Sequence, residues 1–242
     1  MPIVLRKYNV AYFPVPKVAC TSIKHLFFFL EHGRNFENFI DSAGIKRHIH
    51  NSWHPTLSSS RDDWSCAANM HRIVIVRDPV DRFISAYRNR VLFHKELSET
   101  TVDIEKSQIL GVRPDPDLNE FIDSLELYRA LSPVIRHHTH PQTCFIGHTM
   151  DYFSKVYRFE ELDRLASDLC ERTGLPVVLP HKQKGIGGEL PSISSKRIEK
   201  ILEFYSGDYA LLKGLYPPEP ARHKYAIGIK DFFRSFGKSI PF

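Results

Sequence analysis

Short apolar runs of β character alternate along the chain with longer stretches of helical period. Tyr8-Asn9-Val10-Ala11-Tyr12-Phe13 is rich in β-branched and aromatic residues and is broken by Pro14 and Pro16. A small polar stretch then leads into Ile23-Lys24-His25-Leu26-Phe27-Phe28-Phe29-Leu30. This predicts strand, loop and helix in that order. Arg72-Ile73-Val74-Ile75-Val76 is a nearly continuous apolar run of the kind found in buried parallel strands, and Pro79 stands where a helix can begin. From Val80 to about Lys95, Phe83, Ala86, Tyr87, Arg90 and Val91 fall on one stripe, which predicts a helix lying on the sheet. Ser98 to Pro116 is polar, carries Pro114 and Pro116, and reads as a loop. Leu118 to Leu131 is read as a helix, and Phe145-Ile146 and Val156 to Phe159 as short strands. Glu160 to Thr173 is read as a helix stopped by Gly174 and Pro176. Ser194 to Tyr205 and Asp208 to Leu215 complete the helices. The alternation predicts an α/β fold, a parallel sheet flanked by helices on both faces in a single domain.

Composition narrows the classes. The chain has 242 residues, 42% hydrophobic and 25% charged, enough for a packed core and unlike a disordered tail. The longest wholly apolar stretch, Leu26 to Leu30, is far too short to span a bilayer, so no transmembrane segment is expected. The start, Met1-Pro2-Ile3-Val4-Leu5-Arg6-Lys7, turns polar at once and lacks a secretory pattern, which suits a cytoplasmic protein. Cys20, Cys66, Cys144 and Cys170 are scattered without a CxxC pair, so neither a disulfide framework nor a cysteine zinc site is indicated. Thirty-three Lys and Arg against 28 Asp and Glu give +5, with 13 His besides, a mild bias toward anionic partners. Charge alone does not choose among nucleic acid, nucleotide and acidic sugar.

Two loops carry the chemistry. The first predicted strand ends in Pro16-Lys17-Val18-Ala19-Cys20-Thr21-Ser22, at the mouth of a helix whose N–H groups and dipole attract an anion. Lys17 leads this loop and no glycine occurs in it, unlike GxxxxGK[ST], which disfavours an ordinary nucleotide kinase. The plain structural alternative is a helix capped by Thr21 or Ser22 with Lys17 in solvent. The second loop, Arg77-Asp78-Pro79, follows a buried strand, with Ser85-Ala86-Tyr87-Arg88 about two helical turns on. An arginine fork and a serine hydroxyl suit a terminal phosphate. Surface pairing of Arg77 with Asp78, or of Asp81 with Arg82, is the alternative.

Together these segments resemble the 3′-phosphoadenosine 5′-phosphosulfate (PAPS) dependent sulfotransferases, particularly the membrane-type carbohydrate branch, sulfotransferase family 2. There a PKVAxTS-like loop grips the 5′-phosphosulfate and an RDPxxRxxSAYR segment the 3′-phosphate; here these are Pro16 to Ser22 and Arg77 to Arg88. Weaker likeness runs through His140-Pro141-Gln142, Val156 to Leu162 and Asp208-Tyr209. The resemblance implies a P-loop-like sheet, a sulfotransferase domain over residues 1–216 and a separate tail over 217–242. It implies that Lys17 contacts the 5′-phosphosulfate at the bridging oxygen, where charge grows as sulfate leaves. It further implies that Val18, Ala19, Cys20, Thr21 and Ser22 hold the 5′-phosphate, and that Arg77 and Ser85 hold the 3′-phosphate that distinguishes PAPS from ATP. Adenosine 3′,5′-bisphosphate would be the second product, and a carbohydrate or glycolipid hydroxyl the acceptor, with no nucleic-acid partner.

A hydroxyl acceptor needs a base, and histidine suits neutral pH. His48-Ile49-His50 lies between the motifs, where uronyl-directed members of the family carry an HxH pair, so the order of preference is His50, His48, His54. His48-x-His50 and His137-His138-x-His140 also resemble metal-ligand spacings, since imidazoles two apart on a strand share a face. Sulfuryl transfer needs no metal, no carboxylate or cysteine partner is evident, and no metal is expected; His140 and Gln142 can instead help position acceptor or cofactor. His181 to Gly188 is a basic, glycine-containing loop in which Lys182 or Lys184 can add to phosphate binding, or simply form a solvated turn. Tyr225, Ile229, Phe232, Phe236 and Ile240 give the tail an apolar stripe among lysines and arginines. It suits packing on the core or on a second subunit, with peripheral membrane contact the lesser alternative. The lack of an N-terminal anchor departs from Golgi members and fits a bacterial cytoplasmic enzyme or a trimmed lumenal domain. The rival readings are a nucleotide kinase or phosphotransferase and a non-catalytic binder of acidic polysaccharide.

Overall fold

In the computed structural model the described residues are 1–56, 61–179 and 190–219, without the side chains of 61–63. The elements run β1 (Ile3–Leu5), β2 (Val10–Phe13), α1 (Cys20–His32), β3 (Phe39–Ile40), β4 (Lys46–Arg47), α2 (Ile49–Ser52), β5 (His71–Val76), α3 (Pro79–Ala86), α4 (Ile104–Leu110), α5 (Leu118–Asp123), α6 (Leu125–Leu131), α7 (Pro133–Thr139), α8 (Thr143–Ile146), β6 (Lys155–Arg158), α9 (Leu162–Thr173), α10 (Ser195–Phe204) and α11 (Ser206–Leu211). They divide into two compact units: residues 1–78 with those described from 140 onward to 179, and residues 79–139 with 190–219.

The first unit holds the sheet, in the order β1-β2-β5-β6. β2 pairs parallel with β5 (Phe13 opposite Val74) and β5 parallel with β6 (Ile75 opposite Tyr157). The sheet is mixed rather than wholly parallel, because β1 runs antiparallel to β2. The reason is the connection: Arg6–Tyr8 forms a single 3₁₀ turn ended by Asn9 at φ 50°, and so short a link can only return the chain antiparallel. All of β2 and Ile73 to Val76 are buried, which explains their continuous apolar character. Phe13 packs edge-on to Trp64 (4.9 Å) and Phe153 (5.1 Å). α1 packs against β1 and α9 against β6, so the fold is α/β with a sheet flanked by helices.

The second unit is helical. Phe121 stacks on Phe83 (5.5 Å) and meets Tyr87 (5.3 Å) and Tyr128 (5.7 Å), joining α3, α5 and α6 in one aromatic core. Asp123 accepts from Arg197 Nη2 (2.6 Å) and Lys200 Nζ (2.5 Å), tying α10 to α5.

Several local expectations are corrected. Phe145-Ile146 is helical, in α8: two apolar residues beside Pro141 are too few for a strand, and Gly147 at φ 78° ends the turn. The stretch read as one loop from Ser98 to Pro116 contains α4, started by the Asp103 carboxylate accepting from Lys106 N–H (3.0 Å) and stopped by Gly111 at φ 67°. Its pattern is inverted, with Ser107 buried and Ile109 84% exposed, so hydrophobic period gave no signal. The helix read over Leu118 to Leu131 breaks at Ser124 into α5 and α6. Beyond Ala86 the α3 helix widens into a π-helix over Tyr87–Phe93. Lys182 and Lys184, and most of the tail predicted from 217, lie outside the described residues.

Candidate active site

The two motif loops leave neighbouring parallel strands at their carboxyl ends, the edge at which open α/β sheets bind ligands. After β2 the chain passes through Lys17 at φ 69° and Ala19 at φ 65°, both left-handed. A non-glycine residue there is strained by about 1–2 kcal/mol, and such strain persists only where surrounding structure holds it. Ala19 is the N-cap of α1 and provides no side-chain cap. The expected alternative, capping by Thr21 or Ser22, is therefore not what forms: both sit inside the first turn, past the N-cap position. Val18 is fully buried while Lys17, Cys20, Thr21 and Ser22 are half-buried.

The second loop is locked to the first. Arg77 Nη1 donates to the carbonyl of Lys17 (3.2 Å), and its guanidinium lies over the Phe159 ring at 4.2 Å. Gln142, wholly buried, clamps the same residue's backbone: Arg77 N–H donates to Gln142 Oε1 (3.1 Å) and Gln142 Nε2 donates to the Arg77 carbonyl (2.9 Å). Through these two contacts Gln142 holds the Arg77 backbone. Ser85 lies half-buried on α3 in the second unit. In the same motif Arg82 is fully buried with its guanidinium 5.4 Å from the Tyr205 ring, and Tyr87 Oη donates to the Pro116 carbonyl (3.1 Å).

The HxH segment is not a strand. His48 is the N-cap of α2, its Nδ1 accepting from His50 N–H (3.2 Å) while Asn51 Oδ1 accepts from His48 N–H (2.7 Å). Ile49 packs with Phe28, Phe36 and Trp53, which seats α2 on α1. His137 and His138 lie on α7 rather than a strand. Among the described residues no three His, Cys, Asp or Glu are grouped to hold a metal ion.

Seating α2 on α1 carries His50 to the loop mouth. His50 Nε2 is 2.8 Å from Thr21 Oγ1. Its other nitrogen, Nδ1, is 3.1 Å from Lys24 Nζ, which also donates to Thr56 Oγ1 (2.7 Å) and to the His54 carbonyl. Lys24 is fully buried, and burial pulls its ammonium down from 10.5 to about 8. Burial, followed by the Lys24 charge, holds the His54 imidazole below its ordinary range. The sequence reading missed Lys24. Its signal was present: a lysine on the face shared by Ile23, Phe27 and Phe28, all buried.

The Sulfotransferase family model matches residues 2–217. The chain belongs to the sulfotransferase family. No curated protein and no solved structure matches this sulfotransferase. Among its described residues no helix is long and apolar enough to cross a membrane.

Proposed function

We propose that this sulfotransferase moves a sulfuryl group from PAPS to a hydroxyl of a carbohydrate or glycolipid acceptor, working in the cytoplasm. The observation that carries the reading is the Arg77–Lys17 hydrogen bond, which joins both anion-binding loops at one sheet edge. The residues fit a nucleotide with phosphates at both ends: an α1 first turn without a side-chain cap, a lysine at its mouth and a stacked guanidinium. Bound PAPS supplies the activated sulfuryl group and leaves as adenosine 3′,5′-bisphosphate. In this reading the N–H groups and hydroxyls of Val18 to Ser22 hold the 5′-phosphate, and the Lys17 ammonium offsets charge growing at the leaving oxygen. Arg77 takes the 3′-phosphate with two parallel N–H donors, and from the motif Ser85 adds a hydroxyl. His50 Nε2, beside Thr21, takes the acceptor proton, with His48 holding the turn that presents it. No metal is required by these steps. The sulfotransferase domain is assigned to residues 1–216, in keeping with the family match.

The test is incubation with ³⁵S-labelled PAPS and a panel of unsulfated polysaccharides and alkyl glycosides, followed by mass spectrometry. A product heavier by one sulfuryl group, with release of adenosine 3′,5′-bisphosphate, is expected. Calorimetry should show Arg77→Ala weakening adenosine 3′,5′-bisphosphate by about 2–3 kcal/mol and AMP far less. Equal losses for the two nucleotides, or a phosphorylated product from ATP, would overturn the reading.

A further inference from the structure

Lys24 lies in neither family motif segment's assigned set, yet its amine sits directly behind the histidine at the loop mouth. We propose that Lys24 is a positioning residue that decides which nitrogen of His50 carries the proton, so that His50 is a competent base only when Lys24 is an uncharged amine. This rests on the reading of His50 as the base.

The contacts dictate the logic. An ammonium has three N–H donors, and Lys24 Nζ has three partners: His50 Nδ1, the His54 carbonyl and Thr56 Oγ1. In that state Nδ1 must accept, so a neutral His50 carries its proton on Nε2 and has no lone pair facing Thr21. An amine has two N–H donors and one lone pair. The His54 carbonyl can only accept, so the lone pair can face Nδ1, which then carries the proton and donates. Nε2 is now a lone pair at the loop mouth. Thr56 can also turn its hydroxyl toward the amine, so the amine state admits both tautomers, whereas the ammonium state admits one.

With Nε2 unprotonated, the acceptor O–H bond breaks and its proton moves to Nε2. The acceptor oxygen bonds to sulfur as the bond from sulfur to the 5′-phosphate oxygen breaks, its electron pair leaving on that oxygen. The imidazolium keeps its Nδ1–H directed at the Lys24 amine. The titration that controls this lies in an accessible range, since burial brings Lys24 to about 8. The groups around it are Cys20 on the same helix, which raises Lys24 and interacts with Tyr12 of β2, His50 from α2, and His54 from the segment after it. His54 also feels the α-amino group of Met1. The strand β1, packed on α1, brings no titratable side chain.

The first measurement needs no variant and no turnover. In ¹⁵N-histidine-labelled protein, the His50 ring nitrogens should report the Nε2–H tautomer at pH 6.5, with Nδ1–H appearing by pH 9. In Lys24→Met the tautomer should not change over that range. The second is kinetic, using PAPS and the panel acceptor of highest turnover. In the wild type kcat at pH 7 should be about one tenth of that at pH 9, and in Lys24→Met the two should approach equality as the limb moves down to the imidazole range. A wild-type tautomer constant from pH 6.5 to 9, or an unchanged kcat ratio in Lys24→Met, overturns the role of Lys24. His50→Ala separates this from failure of the base itself. Turnover falling 10²- to 10⁴-fold keeps the base, whereas wild-type turnover with the same ascending limb removes the base and this inference with it.

Discussion

Replacing Lys24 by methionine removes a buried titrating group, and the consequence for stability can be worked from its surroundings. Lys24 is fully buried and its pKa falls from 10.5 to about 8 because burial disfavours the charged form. Between those two values the unfolded chain still holds the proton that the folded chain has released. The unfolded state therefore binds more protons, and stability rises with pH through this window. Each pH unit above 8 adds about 1.4 kcal/mol, or about 2 kcal/mol by pH 9.5. Lys24→Met has no such slope. The absolute stability of the variant at any one pH mixes relief of the buried charge with acceptors left unmatched at His50 and His54, so the difference in slope is the informative quantity. Other groups that titrate at alkaline pH, such as Tyr87 near 12, cancel between the two proteins. Urea unfolding at half-unit steps from pH 6.5 to 9.5 measures it. The wild-type minus variant free energy should be flat to about pH 8 and then climb by about 2 kcal/mol. A difference flat over the whole range would mean that Lys24 titrates near its ordinary value, and the cage would have to be an ammonium site throughout.

Two further outcomes follow from the loop contacts. If the Lys17 ammonium acts mainly on charge that appears in the transition state, as proposed, Lys17→Ala should lower kcat by more than it raises the KM for PAPS; an unchanged kcat at saturating substrates would move Lys17 out of that role. Gln142→Ala breaks both hydrogen bonds to the Arg77 backbone in a buried place, so it should destabilise the fold by about 2–3 kcal/mol and weaken adenosine 3′,5′-bisphosphate binding measured by calorimetry. Wild-type stability and affinity in that variant would show that the clamp contributes nothing.

Much of this protein is legible along the chain because its signals are local. The apolar runs at Val10 to Phe13 and Ile73 to Val76 mark strands buried on both sides, and the resemblance to the sulfotransferases rests on two short contiguous segments, Pro16 to Ser22 and Arg77 to Arg88. Gly174 likewise ends α9 by its own backbone freedom. Tertiary structure decided what depends on distant partners. The task of Gln142 came from Arg77, 65 residues away in sequence, whereas the direction of β1 and the start and stop of α4 rest on a one-turn link, an aspartate cap and a glycine, local features that hydrophobic period does not carry. The meeting of Thr21, Lys24 and His50 required α2 to be seated on α1 by Phe28, Phe36, Ile49 and Trp53. A lysine's spacing cannot show that its ammonium will be enclosed by acceptors from 26 to 32 residues onward; only packing removes it from water, and only that removal lowers its pKa into the range where it can govern a histidine.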